Sequence, residues 1–493
     1  MNFYTKNSVI FLTGATGFTG KVLLEKILRS LPQVKKIYLL VRCPTAKTVQ
    51  CRVEEEIFSS PIFETLRAQF ENELEFRRLV ISKIVPVHGD LILEHLGLSE
   101  SDLRMVQSDT NVIFNCAADT SWDRGLKEAV NLNCYGPLRM IKVAQGMQHL
   151  SAFVHLSTAF VNIHMDGQVV GEKIYPFRLG DTETVFDKIE KMIERGEDFD
   201  SYECDVLRVF ENTYIASKSL TESLFHSRYK QWQVPIVIVR PSAIGGTLSE
   251  PVAGWVEGMT GLAACSVLCG LGVIQEWAGK STNAIDVIPV DWLCKTILMA
   301  ATTADCTFER IPVFHSCTSS FVRLSIDILF HSYEKYWQSA NPPPRGRIST
   351  DIRAHMYSIQ DFESRFRQRF SEELVLALKK NEEDLRRLLA NAYRIPRLYG
   401  KMYKYDCHFS AANTLALDKA APAVLCGDMS LGIDWPEYLH KGNMGIHKHI
   451  LKETVDRRVV VDYTWESIQR QYKPTESSVV SNGSDDSPTK SRL

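Results

Sequence analysis

The first half of the chain alternates short apolar runs with stretches whose apolar residues recur at helical spacing, and few architectures accept that alternation. Val9 to Leu12, Lys36 to Val41, Lys83 to Val87, Val112 to Cys116, Phe153 to Leu156 and Pro235 to Val239 read as strands, most of them apolar throughout. Strands of that kind are covered on both faces. Lys21 to Leu31, Leu126 to Gln148 and Tyr214 to Phe225 carry the helical spacing between them. Repeated β-α-β units predict an α/β fold built on a doubly wound parallel sheet.

Directly after the first run stands Thr13-Gly14-Ala15-Thr16-Gly17-Phe18-Thr19-Gly20, a GxxGxxG turn that leads into a helix. Glycines let the backbone turn tightly and approach a pyrophosphate, whose charge is stabilised by free N–H groups at the helix start. Alone such a turn is a weak signal, but between strand and helix of a βαβ unit it marks a Rossmann-type dinucleotide site. The second strand ends in Val41-Arg42, where an enzyme preferring NAD would place a carboxylate for the ribose hydroxyl. Arg42 reads either as the partner of the 2′-phosphate of NADPH or as a solvated arginine at a strand end. Asp90 is in position to meet the adenine, and Ala117 with Ala118 leave room on the ribose side.

Tyr214-Ile215-Ala216-Ser217-Lys218 sets a phenol and an ammonium one turn apart on one helix face. An ammonium beside a phenol favours the phenolate, so Tyr214 is expected below its usual pKa of about 10 and usable as a proton donor. Ser157-Thr158 follows the fifth strand. Their hydroxyls either help hold a substrate carbonyl or satisfy nearby backbone, and Thr158 is favoured over Ser157.

A chain of 493 residues exceeds the roughly 250 to 300 at which single cores stop growing. Beyond residue 300 the alternation gives way to helix-like segments, among them Leu324 to Tyr336 and Glu372 to Leu389. We therefore expect an NADPH-binding reductase unit over 1–300, a mainly helical domain over 301–456 and a polar, disordered tail over 457–493. The formal charge of −2 and the lack of a basic stripe leave no footprint for nucleic acid. Twelve cysteines without repeating spacing read as reduced thiols of an intracellular compartment, Cys265 and Cys269 as small buried side chains. His440, His447 and His449 fall on different helix faces, so no metal is expected. The uncharged run between Glu257 and Gln275 is broken by four glycines and is short of the about twenty residues of a membrane span. It reads as a buried segment or as a surface making peripheral membrane contact.

These motifs together resemble the extended short-chain dehydrogenase/reductase superfamily. Ile37-Tyr38-Leu39-Leu40-Val41-Arg42, Glu250-Pro251-Val252-Ala253-Gly254-Trp255 and Ile285-Asp286-Val287-Ile288-Pro289-Val290-Asp291 are similar to its fatty acyl-CoA reductases. Ile433-Asp434-Trp435, Gly445-Ile446 and Leu451-Lys452-Glu453 resemble their C-terminal helical domain, of male-sterility type. The resemblance runs from about Ser8 to Glu453. It departs at Thr19, where the family often has a larger apolar residue, and in the membrane anchor that ends many animal members. It implies reduction of a long-chain acyl-CoA to a fatty alcohol with two NADPH through an aldehyde, for ether-lipid or wax synthesis, without an active-site cysteine. Tyr214 with Thr158 would hydrogen-bond the developing oxyanion, and Lys218 would position the nicotinamide ribose. Gly258 to Ile274 would wall the acyl tunnel or form a plain core helix. The rival readings are an aldehyde-forming reductase, a sugar or steroid dehydrogenase on the same fold, and a non-catalytic NADPH-binding module. A binder needs no such set as Tyr214, Lys218 and Thr158. Ser491-Arg492-Leu493 resembles a peroxisomal address with arginine for lysine. It implies an import receptor as partner and a peroxisome or glycosome matrix location, the alternative being cytoplasmic.

Overall fold

The computed structural model describes residues 3–453 apart from 44–46, 260, 308, 348, 359, 366–367, 369–393, 421, 423–424 and 426–428. The expected helix Glu372 to Leu389, the expected tail over 457–493 and its Ser491-Arg492-Leu493 lie outside the described residues. Seven parallel strands form the central sheet: β1 (Val9–Thr13), β2 (Lys36–Val41), β3 (Ile84–His88), β4 (Val112–Asn115), β5 (Ala152–Leu156), β6 (Ile236–Pro241) and β7 (Val313–Ser316). Their order is β7-β6-β5-β4-β1-β2-β3. All residues of β1, β5 and β6 are buried, which is why their sequences run apolar instead of alternating. Strand order reverses between β1 and β4, and a doubly wound sheet opens its ligand crevice at that point, beyond the strands' carboxyl ends.

Helices α1 (Phe18–Ser30), α2 (Leu126–Val130), α3 (Gly136–Gln145) and α4 (Thr213–Trp232) connect the sheet. The expected single helix from Leu126 to Gln148 is divided, because Asn131–Tyr135 forms a π turn between α2 and α3. Strand β7 lies past residue 300, where the sequence reading ends the reductase unit, and it extends the sheet to Ser316. Its four residues, Val-Phe-His-Ser, carry no apolar run that periodicity could detect. His315 is nevertheless fully buried. Its Nδ1–H donates to the Ser410 carbonyl at 2.8 Å while Nε2 accepts from Arg240 Nη1 at 3.1 Å, a tautomer assigned by that network.

The later helices do not stand apart. Helices α5 (Gly261–Gly270), α6 (Val290–Ala301), α7 (Ile326–Ser339) and α8 (Trp435–Gly445) share one apolar core with the sheet, continuous from Ile10 and Leu12 to Trp337 and Tyr438. Ala263 through Gly270 of α5 are all buried, so the glycine-broken run is a core helix. No helix among the described residues is long and apolar enough to cross a membrane. Charges stitch the same junction: Glu250 pairs with Lys26 and, at 2.7 Å, with Arg29 of α1.

Candidate active site

The glycine turn closes over the end of β1. Gly14 holds φ at +76°, and a Cβ there would come within 2.8 Å of the Ala117 amide nitrogen. The Gly17 N–H donates to the Gly14 carbonyl at 3.0 Å, and a Cβ on Gly20 would run into that same carbonyl. Helix α1 then starts without a capping side chain and without an acidic residue in its first turn. The unpaired N–H groups of such a start attract an anion. Gly17 is exposed, with Thr16, Phe18 and Thr19 partly so, so this end is open to a pyrophosphate. The residues therefore fit a dinucleotide cofactor. Thr13 serves differently from the sequence reading: fully buried, its Oγ1–H donates to Asn115 Oδ1 at 3.0 Å and its oxygen accepts from the Ala117 N–H at 3.1 Å. It braces the turn rather than offering its hydroxyl to the crevice.

Arg42 stands just past β2 with its side chain 72% exposed and 3.9 Å from Asp90 Oδ2. Its guanidinium is thus available to a phosphate. Asp90 is turned toward it and accepts from the Ile92 N–H at 3.2 Å through Oδ1. A second cation, Arg52, donates to the Arg42 carbonyl. It carries no signal in the sequence, because it stands ten positions beyond Arg42, on the short helix Val49–Val53. Ala117 and Ala118 follow β4, both partly exposed.

Asn212 caps α4, its Oδ1 accepting from the Ile215 N–H at 2.8 Å. That cap sets Tyr214 in the first turn, beside Thr158, whose Oγ1–H donates to the Pro241 carbonyl at 3.4 Å and whose oxygen accepts from the Phe160 N–H at 3.3 Å. One turn on, Lys218 is 1% exposed, and its Nζ donates to the Leu156 carbonyl at 2.9 Å. The expected electrostatics are reversed at the phenol. Burial pushes Tyr214 above its ordinary value, and the neighbouring Thr158 hydroxyl opposes it. Burial also pushes the Lys218 ammonium down to about 8, against the attraction of Glu222. Ser157 does not reach the pair: it is buried, its Oγ has no partner, and its N–H donates to the Val239 carbonyl at 2.8 Å. The structure brings together Tyr214, Lys218 and Thr158, and leaves Ser157 inside the sheet.

Asn133 in the π turn escaped the sequence reading. Its Nδ2 donates to the Asp119 carbonyl at 2.9 Å and to Ser217 Oγ at 3.2 Å, and its Oδ1 accepts from the Asp119 N–H at 2.9 Å. The loop after Ala118 is thereby fixed to α4, tying the cofactor wall to the Tyr214 helix. π turns within α-helices are often functional. The available signal was Asn133 in a mostly apolar helix, ahead of Gly136-Pro137.

A narrow cavity of about 60 Å³ lies beside the turn, among Phe18, Gly245, Leu262, Tyr333, Tyr438 and Asn443. Leu262 and Ala263 of α5 face it, so that helix is core and pocket wall at once. Among the described residues no group of three His, Cys, Asp or Glu is arranged to hold a metal. His447 is held instead between the Tyr336 hydroxyl and Glu453, at 3.2 and 3.1 Å.

Residues 12–297 match a family model described as Male sterility protein, a description that falls on the sheet-bearing part rather than on the C-terminal helices. A Mus musculus protein named fatty acyl-CoA reductase 1 is 35% identical over 316 residues, which cover 64% of this chain and 58% of that protein. An Arabidopsis thaliana protein of the same name is 28% identical over 489 residues, covering 91% of this chain and 98% of that protein. The solved terminal R domain from the myxalamid PKS-NRPS biosynthetic pathway is similar with a TM-score of 0.60 at 18% identity, over 90% of this chain and 92% of that one. That likeness is one of fold.

Proposed function

The chain belongs to the male sterility protein family, among the fatty acyl-CoA reductases of the extended short-chain dehydrogenase/reductase superfamily, and from that premise we propose that it reduces a long-chain acyl-CoA to the fatty alcohol. The observation that carries this reading is the grouping of Tyr214, Lys218 and Thr158 at the carboxyl end of the sheet, beside an uncapped helix start.

A nicotinamide cofactor, when bound, supplies hydride. Gly14, Gly17 and Gly20 would hold its pyrophosphate against α1, and Arg42 its 2′-phosphate if it is NADPH. Tyr214 and Thr158 place hydroxyls where a substrate carbonyl oxygen gathers negative charge, a stabilisation larger in the transition state than before it. At the thioester that charge leaves with the CoA thiolate, giving the aldehyde. At the aldehyde it is quenched when Tyr214 gives up its proton as general acid. A phenol raised by burial keeps that proton until a base as strong as an alkoxide forms. Lys218, anchored on the Leu156 carbonyl, would offer its ammonium to the nicotinamide ribose.

The test is incubation of purified protein with NADPH and hexadecanoyl-CoA, products being identified by mass. Fatty alcohol with two NADPH consumed per thioester supports the reading, and aldehyde alone limits it to the first step. NADPH preference is tested by Arg42→Ala, which should lower the NADPH/NADH ratio of kcat/KM about tenfold or more. An unchanged ratio would assign the phosphate to another residue such as Arg52. For location, Ser491-Arg492-Leu493 supports a peroxisome or glycosome matrix, tested by whether deleting the tripeptide disperses an N-terminally tagged protein.

A further inference from the structure

Two polar groups in the cavity beside the glycine turn have incomplete bonding, Glu257 Oε2 and Asn443 Nδ2. Glu257 pairs with Lys21 through its other oxygen, on a side chain 39% exposed, and as an acceptor its Oε2 could meet only a donor of a ligand. Asn443, on α8, is 1% exposed. Its orientation is dictated from behind. Trp337 Nε1 can only donate, and it donates to Ser266 Oγ at 2.9 Å. The Ser266 proton is therefore directed to Asn443 Oδ1, 2.6 Å away. Turning the amide over would take that acceptor from the Ser266 proton, so Nδ2 is the end left without a partner among the described residues. The tyrosine hydroxyls of the same wall are turned elsewhere: Tyr438 donates to the Gly246 carbonyl at 2.9 Å and Tyr333 to the Leu262 carbonyl at 3.2 Å.

A bare methylene chain laid against Asn443 would bury its N–H with nothing to accept it, which buried polar groups rarely tolerate. We propose that Asn443 is a specificity-determining residue whose Nδ2–H donates to an oxygen of the bound thioester. This rests on the reductase reading above. A thioester brings such an acceptor from one of two sources: its acyl part, as the carbonyl or a hydroxyl on the chain, or the amide carbonyls of its pantetheine arm. The residue lies outside the family model's span of 12–297, so discrimination among thioesters would come from α8 while the chemistry comes from the sheet.

The test compares the wild-type chain with Asn443→Leu/Ser266→Ala, which removes the donor without stranding the serine hydroxyl. Asn443→Asp is the second variant, keeping the shape and the acceptor for Ser266 while replacing the N–H by oxygen. Each is assayed with NADPH on hexadecanoyl-CoA, on S-ethyl hexadecanethioate, a truncated thioester without any amide, and on 3-hydroxyhexadecanoyl-CoA, with melting temperature as the check on folding. The expected result is a KM raised about tenfold or more at nearly unchanged kcat. A loss with both CoA thioesters but not with the truncated one places the acceptor in the pantetheine arm. A loss with all three places it at the acyl carbonyl, and one confined to the hydroxy substrate places it on the chain. Unchanged KM for all three substrates in a folded variant overturns the proposal. A wild-type chain that reduces no thioester overturns the reductase reading itself, and this inference with it.

Discussion

Tyr214 stands beside the Thr158 hydroxyl and is dry enough to hold its proton above the ordinary phenol range. Tyr214→Phe keeps the ring and removes the proton. Turnover should fall at least about 100-fold while NADPH affinity, read by cofactor fluorescence, stays within a factor of about two. Retained turnover would take Tyr214 out of the chemistry. Lys218 is expected to set the alkaline limit. Its ammonium is pushed down to about 8 by burial, so it is charged below that pH and neutral above. If the charged form is the working one, kcat/KM is level up to about pH 8 and declines beyond. A profile level to about pH 9.5 would mean that the ammonium is not required. At this scale the sequence showed the pair through its i, i+4 spacing, which needs no tertiary knowledge. It could not show the direction of the phenol's shift, because folding buries the phenol and directs the lysine to the Leu156 carbonyl. Asn133 and Arg52 were hidden for the same reason, since each acts on residues brought near only by folding.

The strand–turn–helix element β1-α1 depends on backbone where side chains would not fit. Gly14→Ala puts an L side chain at φ +76° and its Cβ against the Ala117 amide. Strain of this kind costs about 1 to 3 kcal/mol. The variant should melt several degrees lower and bind NADPH at least about tenfold more weakly, since the turn must open exactly where a pyrophosphate would rest. A variant with wild-type melting and affinity would show that the turn relaxes without cost. Elements of this sort were legible because turn chemistry is local: strand, glycines and helix start follow one another in the chain. The π turn over Asn131–Tyr135 was not, because it accommodates Asn133 between the Asp119 loop and α4, contacts that helical periodicity does not record.

On the scale of the molecule, the boundary expected at residue 300 crosses one packed body. Strand β7 pairs with β6 along Val313–Ser316, and Arg240 of β6 is bound in a buried pair with Glu222 of α4 while its Nη1 also donates to His315 of β7. Glu172 accepts from the His315 N–H at 2.8 Å and from Thr414 Oγ1 at 3.2 Å, so the connection reaches past residue 410. Helices α7 and α8 close the same core over α5. The break in alternation near residue 300 is real in the sequence, but it marks a change in the order of elements and not an end of shared packing. A fragment of residues 1–300 would lose the neighbour of β6, leave Arg240 with fewer acceptors and expose the apolar face of α5. Removing a hydrogen-bond partner from a buried charged group costs about 1.5 to 3 kcal/mol, exposing a strand edge and a helix face adds to that, and a domain's whole stability is only about 5 to 15 kcal/mol. The fragment is therefore expected to show no cooperative thermal transition and no saturable NADPH binding, whereas the chain through residue 453 should show both. Calorimetry and cofactor titration on the two lengths make the comparison. A fragment that melts cooperatively and binds NADPH as the longer chain does would restore the boundary at 300 and make the later helices an appended domain.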